Sequence, residues 1–179
     1  GNEDLYAAVS ADDGGYWAAG ESYGNGGWLV KLDTVGVVTD SLYLGGANSG
    51  FRDVTNADDG FIITGYASAF TNFSNVWVVK IDAVGNLIWS NEYGEEFNDG
   101  GNAVAWLSDG NIGVTGFSHL NPGNQDIIVL KIDNSGNEQW RKTFGGDERD
   151  IGHDIIASEN GGMYVLGETH SQGDIDGDI

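Results

Sequence analysis

The sequence predicts an all-β protein built as a β-propeller, and two internal repeats carry that prediction. A Lys-Leu/Ile-Asp-x-x-Gly motif begins at Lys31, Lys80 and Lys131, with about fifty residues between successive lysines. A glycine that closes an apolar run recurs with a similar period, at Gly20, Gly65, Gly116 and Gly167. Such a period is typical of propeller blades, each of which is a four-stranded antiparallel sheet.

The second repeat shows the four strands of a blade most clearly. Residues 51–57 form a short mixed strand, and residues 61–66 form a second strand rich in β-branched and aromatic residues. Residues 76–81 and 87–93 form the third and fourth strands, and Gly, Asp and Asn mark the short turns. The third strands are apolar on both faces, as expected where blades pack on each side. A parallel β-helix is the alternative, but its rungs are much shorter than fifty residues.

The repeats divide the chain into one propeller arc over residues 1–179. The predicted blade limits are 1–46, 47–95, 96–146 and a partial blade at 147–179. The partial blade supplies two strands, at residues 152–158 and 163–169. Because an open arc exposes an apolar blade face and unpaired strand edges, we expect a fragment of a longer chain or an arc completed by other copies.

Composition excludes some partners and leaves others. The chain has a formal net charge of −21 with seven Lys plus Arg, so no nucleic acid is expected as a partner, because phosphate binding needs a basic surface. Anionic membranes are disfavoured for the same reason. No apolar stretch is long enough for membrane insertion. Divalent cations, basic proteins and neutral glycans remain as partners, and the absence of Cys excludes disulfides.

The repeat resembles a group of secreted propeller repeats that are common in large surface and exported proteins of Bacteroidetes-like bacteria. The matching positions are Asp13, Gly14, Gly15, Tyr16, Trp77 to Asp82, Asn86, Trp89, Asn137, Trp140, Phe144, Gly145 and Gly146. Blade one departs from the pattern, with Asp40 in place of the tryptophan. The resemblance implies an extracellular or cell-surface location and indicates little about activity.

A second motif is similar to the tryptophan-docking motif of pyrroloquinoline-quinone propellers and outer-membrane assembly lipoproteins. Trp89 follows Gly85, and Trp140 follows Gly136, at the same offset of four positions. The resemblance implies that each tryptophan locks neighbouring blades together and does not carry the cofactor. We therefore expect both tryptophans to be buried between blades in equivalent environments.

Comparison of the blades separates scaffold from site. Lys31, Lys80 and Lys131 recur in every full blade, so they are interpreted as structural ion pairs with nearby Asp or Glu. The second-to-third loops differ in length and content, at residues 21–27, 67–75, 118–125 and 169–178. Variable loops on a regular scaffold usually carry function. The predicted ligand-binding face carries His119, Asn124, Gln125 and His170.

Two metal hypotheses concern the same face. His119 and His170 occupy equivalent positions in adjacent blades, and paired histidines can bind a transition metal. Alternating carboxylates at Asp174, Asp176 and Asp178 suit calcium, the one cofactor that the sequence suggests. Asp147, Glu148 and Asp150 are expected to face the same way. We expect Ca²⁺ to raise the melting temperature more than NaCl does at matched ionic strength, unless these residues form a solvated acidic loop.

The sequence favours a non-catalytic binding or structural module of a secreted or cell-surface protein, in which the variable-loop face engages a glycan or a protein, as in adhesion. No nucleophile-base-acid constellation is present. One alternative is an enzyme of the quinoprotein or glycan-processing type with its site at the channel mouth. Another is a subunit of an extracellular filament or assembly completed by other chains.

Overall fold

The computed structural model describes residues 2–68, 73–94, 97–121 and 124–171, and these residues contain fourteen β-strands and no helix. Blade one consists of β1 Glu3–Ser10, β2 Tyr16–Ser22, β3 Gly26–Leu32 and β4 Val38–Leu44. Blade two consists of β5 Ser49–Ala57, β6 Gly60–Ala67, β7 Asn75–Asp82 and β8 Leu87–Tyr93. Blade three consists of β9 Asp99–Trp106, β10 Ile112–Asn121, β11 Asn124–Ile132 and β12 Glu138–Phe144. Blade four consists of β13 Asp150–Ala157 and β14 Met163–Thr169.

The strands of each blade pair in sequential antiparallel order. The prediction of an all-β propeller with three full blades and half of a fourth is therefore confirmed. The described residues form three four-stranded sheets and one two-stranded sheet, none of which closes on itself. Among the described residues there is no helix that could span a membrane.

A β-bulge in the first strand of each blade explains the repeated glycine. The register shifts next to Tyr6, Arg52, Asn102 and His153, so each of these residues is the extra residue of its strand. The repeated glycine lies opposite the bulge on the second strand. A Cβ atom added at Gly65 would lie 2.0 Å from the Gly50 carbonyl oxygen, which leaves no room for a side chain.

The hydrophobic core is divided into layers between successive blades. Between blades one and two, the rings of Phe51 and Trp77 stack with centroids 4.5 Å apart. Between blades two and three, Val78 and Ile128 belong to a second cluster, and Ile155 anchors a smaller one between blades three and four. Because blades two and three are covered on both faces, their third strands do not alternate between apolar and polar residues.

The repeated lysines form the predicted structural ion pairs. Each Nζ contacts the aspartate of the first turn in its own blade, with Lys31 2.9 Å from Asp13, Lys80 2.7 Å from Asp59 and Lys131 2.6 Å from Asp109. Lys80 is the most buried of the three, and it also donates a hydrogen bond to Asn134 of blade three. The lysine thus ties the third strand to the first turn, and in blade two it also contacts the next blade.

The two docking tryptophans are not equivalent, so that prediction is wrong. Trp89 is half-buried, and its Nε1 donates a hydrogen bond to the Asn134 carbonyl oxygen at 3.1 Å, in the Asp-x-x-Gly turn of blade three. Trp140 is 37% exposed and lies near Lys142, whose Nζ is 5.8 Å from the ring centroid. The reason is topological, because the described part of blade four has two strands and lacks the corresponding turn.

Candidate functional site

An open groove of about 420 Å³ lies between blades two and three, at the end of the sheets where the second-to-third loops begin. Its lining combines aromatic rings, amides, two hydroxyls, an imidazole and a guanidinium. The lining residues are Arg52, Tyr66, Ser74, Asn98, Gly100, Gly101, Asn102, Phe117, His119 and Gln125. The groove lies on the face that the variable loops predicted.

Equivalent positions of consecutive blades supply the central side chains of the groove. Arg52 and Asn102 are the bulged residues of β5 and β9. Tyr66 and Phe117 each follow the repeated glycine of their second strand. The scaffold therefore presents the same four positions at every junction between blades, and the residue types at those positions decide what each junction can bind.

A polar network connects the groove to blade one through Glu21. The Glu21 carboxylate accepts hydrogen bonds from the Tyr6 and Tyr66 hydroxyls, each at 2.8 Å. Arg52 Nη1 lies 3.2 Å from Glu21 Oε2 in an ion pair that is not aligned as a hydrogen bond. The Arg52 guanidinium also lies between two rings, 4.5 Å from the Tyr6 centroid and 5.1 Å from that of Tyr66.

The electrostatics of this network follow from burial and from the shared carboxylate. Burial, followed by the hydrogen bond to Glu21 and its negative charge, raises the pKa of the Tyr66 hydroxyl to about 12. Burial alone would raise the pKa of Glu21, but hydrogen bonds from Tyr66 and Tyr6 and the charge of Arg52 outweigh it and lower that pKa. Glu21 therefore stays ionised at neutral pH, and Tyr66 stays a neutral donor.

The contrast between junctions shows why this groove is open. At the junction of blades one and two, the four equivalent positions hold Tyr6, Glu21, Arg52 and Tyr66, whose side chains contact one another. At the junction of blades two and three, the position equivalent to Tyr66 holds Phe117, which has no hydroxyl with which to form such a network. Asn102 donates its amide hydrogen bond to the Gly152 carbonyl of blade four at 2.8 Å. Open space is left between blades two and three.

The two histidines occupy equivalent positions, and each is held by its own junction. His119 Nδ1 lies 2.5 Å from the Asn98 carbonyl oxygen, and His170 Nδ1 lies 3.0 Å from that of Arg149. Because a carbonyl oxygen only accepts, Nδ1 carries a proton in both rings and donates it to that oxygen. His119 lines the groove, with its ring at 89° to that of Phe117.

The other two predicted binding residues have different positions. Gln125 lines the groove, and its Oε1 accepts a hydrogen bond from Arg149 Nε at 3.0 Å. Asn124 contacts the junction of blades three and four instead, where its amide donates to Asp126 at 3.2 Å and to the Gly146 carbonyl at 2.8 Å. Sequence reasoning missed Arg52, Asn102, Tyr66 and Phe117. Tyr66 and Phe117 each directly follow a repeated glycine, which is a signal that could have found them, whereas the bulges at Arg52 and Asn102 appear only in the strand pairing.

The calcium hypothesis stays a prediction. Asp174, Asp176 and Asp178 lie outside the described residues. Asp150 acts as a clamp for the blade-to-blade loop, since it accepts hydrogen bonds from Gly146 N at 3.0 Å, Ser171 Oγ at 2.7 Å and His170 N at 3.2 Å. Across residues 2–68, 73–94, 97–121 and 124–171, no three His, Cys, Asp or Glu side chains are grouped as metal ligands.

A buried pair of carboxylates is a feature that sequence reasoning missed. Asp126 and Asp150 are 6% and 0% exposed, and a Cβ atom added at Gly145 would lie 2.5 Å and 2.6 Å from their oxygens. Burial, and then the charge of Asp150, raises the pKa of Asp126. The equivalent pair one blade earlier is Asn75 and Asp99, which carries one carboxylate instead of two.

Replacing Asp126 by asparagine should therefore stabilise the protein at pH 7, because the substitution removes a buried carboxylate charge that lies beside the charge of Asp150. The gain should be full above the raised pKa of Asp126. It should disappear as the pH falls towards the ordinary Asp value, where the folded carboxyl is already protonated. Urea unfolding at several pH values measures this difference.

Asp150→Asn is the matched control, with an effect of opposite sign. Burial alone would raise the pKa of Asp150, but hydrogen bonds from Thr169, Ser171 and Gly146 outweigh it and lower that pKa. Asp150→Asn should therefore be destabilising at neutral pH. A stabilising Asp150→Asn, or a pH-independent Asp126→Asn, would contradict this account of the pair.

Comparisons with known proteins support the fold. No protein-family model matches the chain. One curated relative, the regulatory protein FlaEY of Caulobacter vibrioides, is 28% identical over 112 residues, which is 55% of this chain and 12% of that protein. The chain thus matches about an eighth of the length of that relative.

Three solved structures share the architecture. A protein of unknown function from Bacteroides caccae has a TM-score of 0.57 at 17% identity, covering 91% of this chain and 56% of that one. A GH43 endo-arabinanase from Bacillus licheniformis has a TM-score of 0.53 at 13% identity, covering 90% and 63%. A thermostable family-43 glycoside hydrolase has a TM-score of 0.53 at 11% identity, covering 86% and 59%. The chain therefore has a propeller-like fold.

Proposed function

We propose that the chain is a non-catalytic glycan-binding module and that the groove between blades two and three is its binding site. The observation that carries this proposal is the lining of the groove, which combines the rings of Tyr66 and Phe117 with the amides of Asn98, Asn102 and Gln125. It is a concave site with a few convergent polar groups, as small-ligand sites commonly are.

The chemistry of a sugar matches this lining. A sugar ring has an apolar face of C–H groups that packs on an aromatic ring, and hydroxyl groups around its edge. Side-chain amides both donate and accept hydrogen bonds, so they suit hydroxyl groups, which do the same. Tyr66 and Phe117 supply apolar surface at low cost in conformational entropy, because each ring has two side-chain torsions.

The non-catalytic assignment is supported by the lining residues, none of which, in the part of the chain that the structure describes, is an Asp or a Glu. Glycoside hydrolysis usually needs a pair of carboxylates across the scissile bond. Two of the structural neighbours are glycoside hydrolases, which supports a glycan-related role for this fold. An enzyme of the glycan-processing or quinoprotein type remains the alternative function, and its catalytic groups would have to lie outside this groove.

Calorimetry with a panel of neutral oligosaccharides tests the proposal. We expect the wild-type protein to bind at least one of them, and Phe117→Ala to weaken that binding about tenfold or more through loss of the stacking surface. Tyr164→Ala is the matched control, because Tyr164 is 64% exposed on blade four and does not line the groove. Binding that survives Phe117→Ala unchanged, or wild-type protein that binds no glycan, would overturn the proposal.

Location and assembly are further parts of this proposal. The resemblance to secreted propeller repeats supports an extracellular or cell-surface location, which protease accessibility on intact cells would test. The exposed Tyr164 and Leu166 of β14 support the proposal that further strands or other copies cover blade four. Comparison of the mass of the single chain with the mass of the particle in solution would test that.

The alternative ligand is a protein in place of the glycan. Titration with Ca²⁺ in the same calorimeter would test for bound calcium.

A further inference from the structure

We propose that Glu21, a blade-one residue outside the groove, is a specificity-determining residue that makes the groove select neutral over acidic sugars. The inference rests on the proposed function, because it concerns the ligand class of the same groove. It arises from the contacts of the Glu21 side chain with two lining residues, Arg52 and Tyr66, although Glu21 is not itself one of the described lining residues.

The charge of the groove depends on this contact. Arg52 is the single Arg or Lys among the described lining residues. Taken alone, its planar guanidinium would suit the carboxylate of a uronic acid, since arginine binds carboxylates through paired hydrogen bonds. The Glu21 carboxylate, 3.2 Å from Arg52 Nη1, already balances that positive charge. An incoming carboxylate would be repelled by Glu21 and by the formal net charge of −21 of the chain.

Glu21 also fixes the shape of the groove. Its carboxylate accepts a hydrogen bond from the Tyr66 hydroxyl at 2.8 Å. This contact fixes the orientation of the ring that we propose as a stacking surface. The Arg52 guanidinium is held between the rings of Tyr6 and Tyr66. Blade one therefore orients the Tyr66 and Arg52 side chains of a groove that lies between blades two and three.

The repeat provides a matched control for Glu21. Glu168 occupies the equivalent position on blade four, one residue after Gly167, as Glu21 follows Gly20. Glu168 also forms an ion pair with an arginine, Arg149, but neither residue lines the groove. Glu168→Gln therefore removes the same charge from the same scaffold position without uncovering Arg52.

The test compares the trisaccharide of galacturonic acid with its neutral methyl ester, a pair that differs in charge at the same positions. Affinities of both probes are measured for the wild-type protein, Glu21→Gln and Glu168→Gln. We expect Glu21→Gln to raise the ratio of acid to ester affinity about tenfold or more, because Arg52 becomes unpaired. Glu168→Gln should leave the ratio unchanged. The raised ratio of acid to ester affinity in Glu21→Gln should decrease as salt is added, because salt screens the attraction between the acid and Arg52.

A second readout does not need a ligand. In an NMR titration whose Tyr66 signal is assigned with Tyr66→Phe, the pKa of the Tyr66 hydroxyl should fall from about 12 in Glu21→Gln, while burial, its largest cause, still holds it above the ordinary tyrosine value. If the wild-type protein binds a glycan and Glu21→Gln has the same ratio of acid to ester affinity as the wild type, this inference is overturned and the proposed function stands. Failure of the wild type and of Glu21→Gln to bind any glycan would overturn both. An unchanged Tyr66 titration would overturn the positioning role.

Discussion

Replacing Gly65 by alanine should destabilise the protein by about 3–4 kcal/mol, although it adds a single methyl group. A Cβ atom at this position would lie 2.0 Å from the Gly50 carbonyl oxygen and 2.8 Å from the Phe51 Cα. Both atoms belong to the main chain of the paired first strand, so no rotamer change can relieve the clash. The strands would have to separate next to the bulge, which makes this an extreme case of overpacking. The midpoint of urea unfolding measures the loss.

Gly46→Ala is the control for Gly65→Ala. A Cβ atom at Gly46 would have no neighbouring heavy atom within 4 Å, so we expect its stability to stay within about 0.5 kcal/mol of the wild type. Gly116→Ala should behave like Gly65→Ala, because its Cβ atom would lie 1.9 Å from the Gly100 carbonyl oxygen. Similar stabilities for Gly65→Ala and Gly46→Ala would show that the first and second strands are not so close at the bulge.

Trp77→Ala should cost about 3–5 kcal/mol, the range of large aromatic truncations in a packed core. Trp77 is 4% exposed and stacks on Phe51 with an interplanar angle of 14°. Its Nε1 donates a hydrogen bond to Ser90 Oγ at 2.8 Å, so the substitution also breaks a contact between β7 and β8. The cavity would open in the layer between blades one and two. Thermal and urea unfolding would both report it.

Trp140→Ala is the comparison for Trp77→Ala, and it should cost clearly less. Trp140 is 37% exposed whereas Trp77 is 4% exposed, so less buried surface is lost on its removal. Trp89→Ala should fall between the two, since Trp89 is half-buried and makes one hydrogen bond to blade three. Equal losses for Trp77 and Trp140 would contradict the packing described above.

Much of the fold could be predicted because the same local pattern occurs several times. A glycine opposite a bulge and an Asp-x-x-Gly turn depend on interactions within one blade. A lysine paired with a turn aspartate depends on one blade as well, which is why Lys31, Lys80 and Lys131 could be assigned as structural without knowledge of their partners. Repetition shows that a position is needed by the scaffold, since a functional residue would be expected once.

The candidate site could not be predicted in the same detail, because it depends on residues that differ between blades. The variable loops pointed to the face on which the groove lies, and His119 and Gln125 line that groove. They did not show that the groove is limited by Tyr66 and Phe117, or that Asn124 belongs to the next junction. The exposure of Trp140 was missed for a similar reason, since its burial depends on a turn of the following blade and not on its own motif.

The sequence by itself determined the strand order, the repeat length, the turns and the structural role of the lysines, because strand periodicity and turn chemistry are local. The tertiary structure decided which junction is open and what its charge is. Glu21, Arg52 and Tyr66 lie on strands of two blades and meet only when the blades pack. Asp126 and Asp150 likewise become a buried pair through packing of blades three and four. Contacts between blades carry no local signature, since any blade-facing position of the repeat could have supplied them.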